Sequence, residues 1–178
     1  MQQTLIATVE NKPGVLNRVA SLFRRRNFNI DSLNVGRTEN PDFSRMTIVI
    51  DSDDVEASRV EANLYKLVNV VDVQDVSGTG SVFRELAMVK VNASPAQRAE
   101  VHSLANIFNA SVIDVSADCM IVQIAETSTK VNSLIELLRP FGIVESLRTG
   151  HVAMVRGMGD GVRHTPGASG ASVNGTGK

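Results

Sequence analysis

The chain has 178 residues, 43% of them hydrophobic, enough to bury a core in one domain or in two small ones. Lys plus Arg (18) and Asp plus Glu (19) leave a formal charge of −1, and aromatic content is 4%, with no Trp and a single Tyr65. Such a chain lacks both the cationic excess that neutralises phosphates and the rings that stack on bases, which speaks against a nucleic-acid partner.

At the N-terminus Leu5, Ala7 and Val9 alternate with Thr4, Ile6 and Thr8, the pattern of a strand covered on both sides, wholly or in part. Pro13-Gly14 breaks it. Leu16, Val19, Ala20 and Phe23 then recur at helical spacing. Arg24, Arg25 and Arg26 suit the negative end of that helix, and Asn27 fits a left-handed cap. A strand is expected over residues 28–38, then a turn at Asn40-Pro41-Asp42 and a return strand over 46–51. Asp51-Ser52-Asp53 reads as an N-cap cluster before a second stripe of Val60, Leu64, Leu67 and Val68. Residues 70–76 close the unit, giving the order β-α-β-β-α-β of the ferredoxin-like split βαβ motif.

Gly78-Thr79-Gly80-Ser81 reads as part of a linker over 78–83, after which the same order restarts. A strand is expected over 86–91, followed by Ser94-Pro95 as N-cap and first helical residue, with Val101, Leu104, Ala105 and Phe108 as the buried face. A hairpin turns at Ala117-Asp118 between strands over 111–115 and 120–125. Val131, Leu134, Ile135 and Leu138 mark a helix over 127–141, stopped by Gly142 before a last strand over 143–147 or as far as Val155. The fold class is therefore α+β: two tandem ferredoxin-like βαββαβ units over 1–77 and 84–156. From Gly157 onward seven of 22 residues are Gly, so 157–178 is expected to be a disordered tail.

The single Cys119 cannot form an internal disulfide, and no apolar run approaches the roughly 20 residues that span a bilayer. Neither a basic leader nor an apolar h-region precedes the first strand, so the expectation is a cytoplasmic protein with no membrane partner. His102, His151 and His164 are scattered, with the last two placed at or beyond the end of the final strand, and no His-Cys or His-carboxylate pair has metal-ligand spacing. Asp51, Asp53, Asp54 and Glu56 fit a helix start, and Cys119 lies by a turn without an evident base. No catalytic or metal residue is expected.

Asn11-Lys12-Pro13-Gly14-Val15-Leu16 is the segment with chemistry to offer. It joins a strand to a helix, so the N–H groups near Gly14, Val15 and Leu16 carry the positive end of a helix dipole, and Gly14 lets an anion approach the backbone. Asn11 supplies an amide donor and an acceptor. These groups outline a site for an amino acid. They equally describe an ordinary Pro-Gly turn.

Glu10-Asn11-Lys12-Pro13-Gly14-Val15-Leu16 resembles the ligand loop of ACT domains. Arg26-Asn27-Phe28-Asn29-Ile30-Asp31-Ser32-Leu33, Ser44-Arg45-Met46-Thr47-Ile48, Leu64-Tyr65-Lys66-Leu67-Val68-Asn69-Val70 and Arg84-Glu85-Leu86-Ala87-Met88-Val89-Lys90-Val91 are similar to one family within that group, the small regulatory subunit of acetohydroxyacid synthase (acetolactate synthase). The similarity covers residues 2 to about 156. It implies a non-catalytic subunit that pairs through its first unit with a second copy. Such a subunit activates a separate large catalytic chain, and confers feedback inhibition by valine, or by leucine or isoleucine.

By the same resemblance the effector sits at the dimer interface. Asn11, Gly14, Val15 and Leu16 hold it from one chain, while Asn29 and Ile30 close the site from the other. A wall of Val15, Leu16 and Ile30 discriminates modestly between branched side chains, since one methylene is worth about 1–3 kcal/mol. Thiamine diphosphate, a divalent metal (Mg) and FAD belong to the catalytic chain, and none is expected here. The Asn92-Ala93-Ser94-Pro95 segment of the second unit departs from the Pro-Gly pattern, and no effector site is assigned to it. Two other roles remain open: a stand-alone ACT-type amino-acid sensor, which would need a DNA-binding element to regulate transcription, and a small enzyme on the same fold, which would need a base paired in a substrate loop.

Overall fold

The computed structural model describes residues 2–51, 54–78 and 80–157, with backbone alone for 54–58. The first unit consists of β1 (Gln2–Glu10), α1 (Val15–Arg25), β2 (Ile30–Arg37), β3 (Phe43–Asp51), α2 (Asp54–Leu64) and β4 (Val70–Asp75). The second consists of β5 (Ser81–Asn92), α3 (Arg98–Ile107), β6 (Ser111–Val115), β7 (Cys119–Glu126), α4 (Ser128–Leu138), a 3-10 turn (Arg139–Phe141) and β8 (Ile143–Val155). Each forms an antiparallel four-stranded sheet, in the order β2-β3-β1-β4 and β6-β7-β5-β8. The tandem βαββαβ reading is met in element order and topology. The tail after Gly157, together with Ser52, Asp53 and Thr79, lies outside the described residues.

Leu5, Ala7 and Val9 of β1 face Val19, Leu22 and Phe23 of α1, with Met46, Ile48 and Ile50 of β3 beside them in one buried core. The second unit has its own core of Val89, Val91, Val122, Ile124, Val131, Leu134 and Leu138, among others. Burying each such side chain contributes about 1.5–3 kcal/mol, so either unit holds a core without borrowing from the other. Among the described residues Ile6, Val76 and Ala153, with Phe83 and Val155 packed against them, form a third, small cluster between the units. It lies on the opposite face of the sheet, where Thr4 and Ile6 of β1 and Thr47 and Val49 of β3 are buried although they point away from the helices. The alternating first strand is thus covered on both sides, once by its own helices and once by the second unit.

Several local readings are corrected. The buried face of α1 is Val15, Val19, Leu22 and Phe23, because the helix starts at Val15; Leu16 is one position around and 46% exposed. The helix α2 ends at Leu64, and residues 65–69 turn tightly through Lys66 N–H to Asn63 O and Leu67 N–H to Leu64 O. Leu67 still packs on the core, but Val68 is 93% exposed and belongs to no stripe. Asn27 does take left-handed φ (59°), and Phe28 N–H returns to Phe23 O, so β2 begins at Ile30 rather than at 28.

The strand β5 begins at Ser81, inside the stretch read as linker, because Ser81, Val82 and Phe83 pair with Val155, Met154 and Ala153. Ser94-Pro95 opens a turn, not the helix: the Gln97 side chain accepts from the Ser94 N–H and hydroxyl, and α3 starts at Arg98. Pro140 cannot donate into a helix and disfavours α geometry before it, so the expected helix to residue 141 tightens to a 3-10 turn after Leu138. Gly142, at φ 87°, then turns the chain into β8, which runs on to Val155.

Candidate functional site

The loop after β1 is built by Gly14, which takes φ +85° as the N-cap of α1. An L-side chain rarely adopts that conformation, so glycine is required here by the backbone itself. Val15 N–H is closed onto Lys12 O at 3.3 Å, whereas the N–H groups of Gly14, Leu16 and Asn17 have no intrachain acceptor among the described residues. Asn11 is braced on the β2–β3 turn: its N–H donates to Asp42 O at 2.7 Å and its Nδ2 to Pro41 O at 2.9 Å. That engages one of the two side-chain N–H donors and leaves Oδ1 for a ligand N–H. Val15 itself is buried in the core, so the apolar surface the loop offers outward comes from Leu16.

Asn29 and Ile30 lie elsewhere. They line a cleft of about 440 Å³ with Ala20, Arg24, Asn27 and Phe28, beside the C-terminal end of α1. Register places them far from the loop: Ile30 pairs with Ile50, which pairs with Gln3, while Phe43 pairs with Glu10 at the loop end. Seven residues of strand separate Ile50 from Phe43, about 23 Å at 3.3 Å per residue. One chain therefore brings Asn11, Gly14 and Leu16 together and holds Asn29 and Ile30 at the opposite end of its sheet.

Two clusters were not legible in the sequence. Beside the loop, Glu10 accepts from Asn69 Nδ2, Arg18 Nη1 donates to Asn69 Oδ1 at 2.5 Å, and Lys12 Nζ lies 3.0 Å from Glu10. Asn69 first and Lys12 second hold the Glu10 carboxyl below its ordinary range. In the second unit, buried Glu85 of β5 is gripped by Arg148 of β8 through Nε at 2.5 Å and Nη2 at 2.8 Å. Ser128 Oγ lies 2.6 Å from Glu85 Oε2 and 2.6 Å from His151 Nε2. His151 thus sits inside β8 and not past its end.

A hydroxyl has one proton. Glu85 is held ionised, chiefly by Arg148 and then by Ser128, so it accepts the hydrogen bond that the Ser128 hydroxyl donates, and His151 Nε2–H donates to Ser128 Oγ. The imidazole has no lone pair left at Nε2 to act as a base toward Ser128, so this chain of bonds holds strands together without activating a nucleophile. Cys119 is half-buried with Sγ 3.2 Å from Ser116 Oγ. Among the described residues no group of three His, Cys, Asp or Glu side chains is arranged to hold a metal, and no helix is long and apolar enough to cross a membrane.

A doubled βαββαβ unit with a Pro-Gly turn opening its first helix defines an α+β protein of the tandem ACT type. The family models agree unit by unit: the AHAS small subunit-like ACT domain matches residues 5–72, and the small subunit of acetolactate synthase matches residues 84–157. A probable acetolactate synthase small subunit from Archaeoglobus fulgidus is 50% identical over 157 residues, covering 88% of this chain and 98% of that one. The acetolactate synthase small subunit of Bacillus subtilis is 42% identical over 160 residues, covering 88% and 92%. The crystal structure of the acetolactate synthase small subunit from Thermotoga maritima superposes with a TM-score of 0.82 at 39% identity, covering 88% and 98%. The chain belongs to the acetolactate synthase small-subunit family.

Proposed function

We propose that this chain is a non-catalytic regulatory subunit, acting in the cytoplasm, that raises the acetolactate-forming activity of a separate large chain and makes it inhibitable by valine or a related branched-chain amino acid. The observation that carries the reading is the Asn11–Leu16 loop, built on a family member of matching length. Gly14 holds a left-handed turn that presents the N–H groups of Leu16 and Asn17 to a carboxylate, and Asn11 Oδ1 stands ready for an ammonium. Asn29 and Ile30 would complete the site from a second copy running the opposite way, since within one chain they stand at the other end of the sheet from the loop. Leu16 and Ile30 then supply the apolar wall, with Val15 behind it in the core. Thiamine diphosphate, Mg and FAD would reside in the large chain, and this subunit would hold none of them.

The test is to mix the purified chain with a catalytic large subunit and measure acetolactate with and without valine. The chain alone should make none, mixing should raise the rate, and valine should lower it. Asn11→Ala, Gly14→Asp and Asn29→His should each abolish inhibition and keep activation. Gly14→Asp both strains φ +85° and sets a carboxylate where the ligand's own would bind. An unchanged rate on mixing refutes the regulatory reading, and unchanged inhibition in all three variants refutes the site.

A further inference from the structure

We propose that β2 carries the effector signal to the second unit, and that Asn34 is the positioning residue that delivers it. This rests on the effector reading above. The strand starts at Ile30, the residue assigned to the effector's wall, and Asn34 lies four residues on, about 13 Å along the same strand. Asn34 Nδ2 donates to Thr149 O and to His151 O, each at 3.0 Å. Both protons of one amide are therefore spent on two carbonyls of β8.

Those carbonyls flank Gly150, whose backbone presses so close to β2 that a Cβ there would stand 2.2 Å from Ser32 Cβ. Ser32 and Asn34 thus seize the same three residues of β8, one by contact and one by hydrogen bonds. From His151 the connection continues through Ser128, at the first turn of α4, to Glu85 and Arg148. The apolar contact between the units is small and directionless, whereas these bonds are satisfied at one register only. A shift of β2 on effector binding must either move residues 149–151 with it or break the Asn34 pair. The second unit reads the effector through that choice, and the two arrangements of the joint are the states that the effector would stabilise unequally.

Asn34→Asp tests this, since it keeps the shape but replaces both donors by acceptors facing two carbonyls; Asn34→Ala removes the pair without adding charge. Full-length wild type and both variants are mixed with the catalytic subunit, and valine binding by calorimetry is compared with valine inhibition of acetolactate formation. Both variants should bind valine within about threefold of wild type and still activate, while half-inhibition moves at least about tenfold, the size of effect that two hydrogen bonds carry. Hydrogen exchange over residues 149–155 should respond to valine in wild type, and in the variants the response should stop within the first unit. Inhibition at the wild-type concentration in both variants overturns the inference alone. Parallel loss of binding and inhibition also overturns it, because Asn34 would then serve binding and not transmission. A wild-type chain that binds no branched-chain amino acid overturns the inference together with the effector reading.

Discussion

Replacing Gly150 by alanine should weaken the joint between the units for two separable reasons. Gly150 has φ +76°, where an L-residue costs about 1–2 kcal/mol. Its new Cβ would also lie 2.2 Å from Ser32 Cβ and 2.4 Å from Ser32 Oγ. Rotating the serine hydroxyl relieves only the second contact, because Cβ is fixed to the backbone; forcing such an overlap costs about 1–3 kcal/mol. The total is about 2–5 kcal/mol of unfolding free energy. Urea denaturation followed by far-UV circular dichroism suits a chain that has no Trp. Ser32→Gly supplies the control. With that side chain gone, the nearest remaining atom is Ser32 Cα at 3.7 Å, an ordinary contact. In the Ser32→Gly background Gly150→Ala should therefore cost only the backbone part, with a coupling of about 1–3 kcal/mol between the two sites. An equal cost in both backgrounds would show that β2 and β8 do not approach in this way.

Glu85→Gln should destabilise the chain by about 1–3 kcal/mol in thermal or urea unfolding. It strips the charge from a buried carboxylate but leaves Arg148 exposed enough to hydrate. Arg148 and Ser128 hold the Glu85 carboxyl below its ordinary range, so its contribution is complete above the unfolded value of about 4.3 and is lost as pH falls through the lower folded value. The difference between wild type and Glu85→Gln should be flat from pH 5.5 to 8 and shrink steadily on acidification below the unfolded value; a difference that did not change with acidification would contradict the pairing. Leu64→Ala should cost about 2–5 kcal/mol and Val68→Ser no more than about 0.5, because the first is fully buried and the second exposed. Similar losses at both positions would mean that α2 continues past Leu64.

The readings that survived rest on interactions closing within a few residues. Apolar spacing of 2 or 3.6 is imposed by a strand's or a helix's own geometry, so both βαββαβ units were legible without knowing what each face touches. The left-handed turns at Gly14, Asn27 and Gly142 are local in the same way. So the loop of the candidate site, with Asn11 beside a helix start, could be read from one short segment.

What no short segment reveals depends on partners distant in the chain. Leu16 and Val15 are equally apolar, and only the start of α1 decides which one enters the core. Ser81 to Phe83 have linker-like neighbours, yet they are strand because Ala153 to Val155 pair with them. Glu85 looks like any surface acid until Arg148, 63 residues on, compensates its charge in a buried place. The amide of Asn11 is engaged by Pro41 for a like reason. Register along β1 and β3, not the residues themselves, sets Asn29 and Ile30 at the far end of the sheet from the loop. Sequence by itself determined the elements, their order and the turn at Pro13-Gly14 that opens the first helix. Tertiary structure alone decided which polar groups are already engaged and which residues stand at opposite ends of the sheet, because burial and pairing belong to residues the chain brings together only once it has folded.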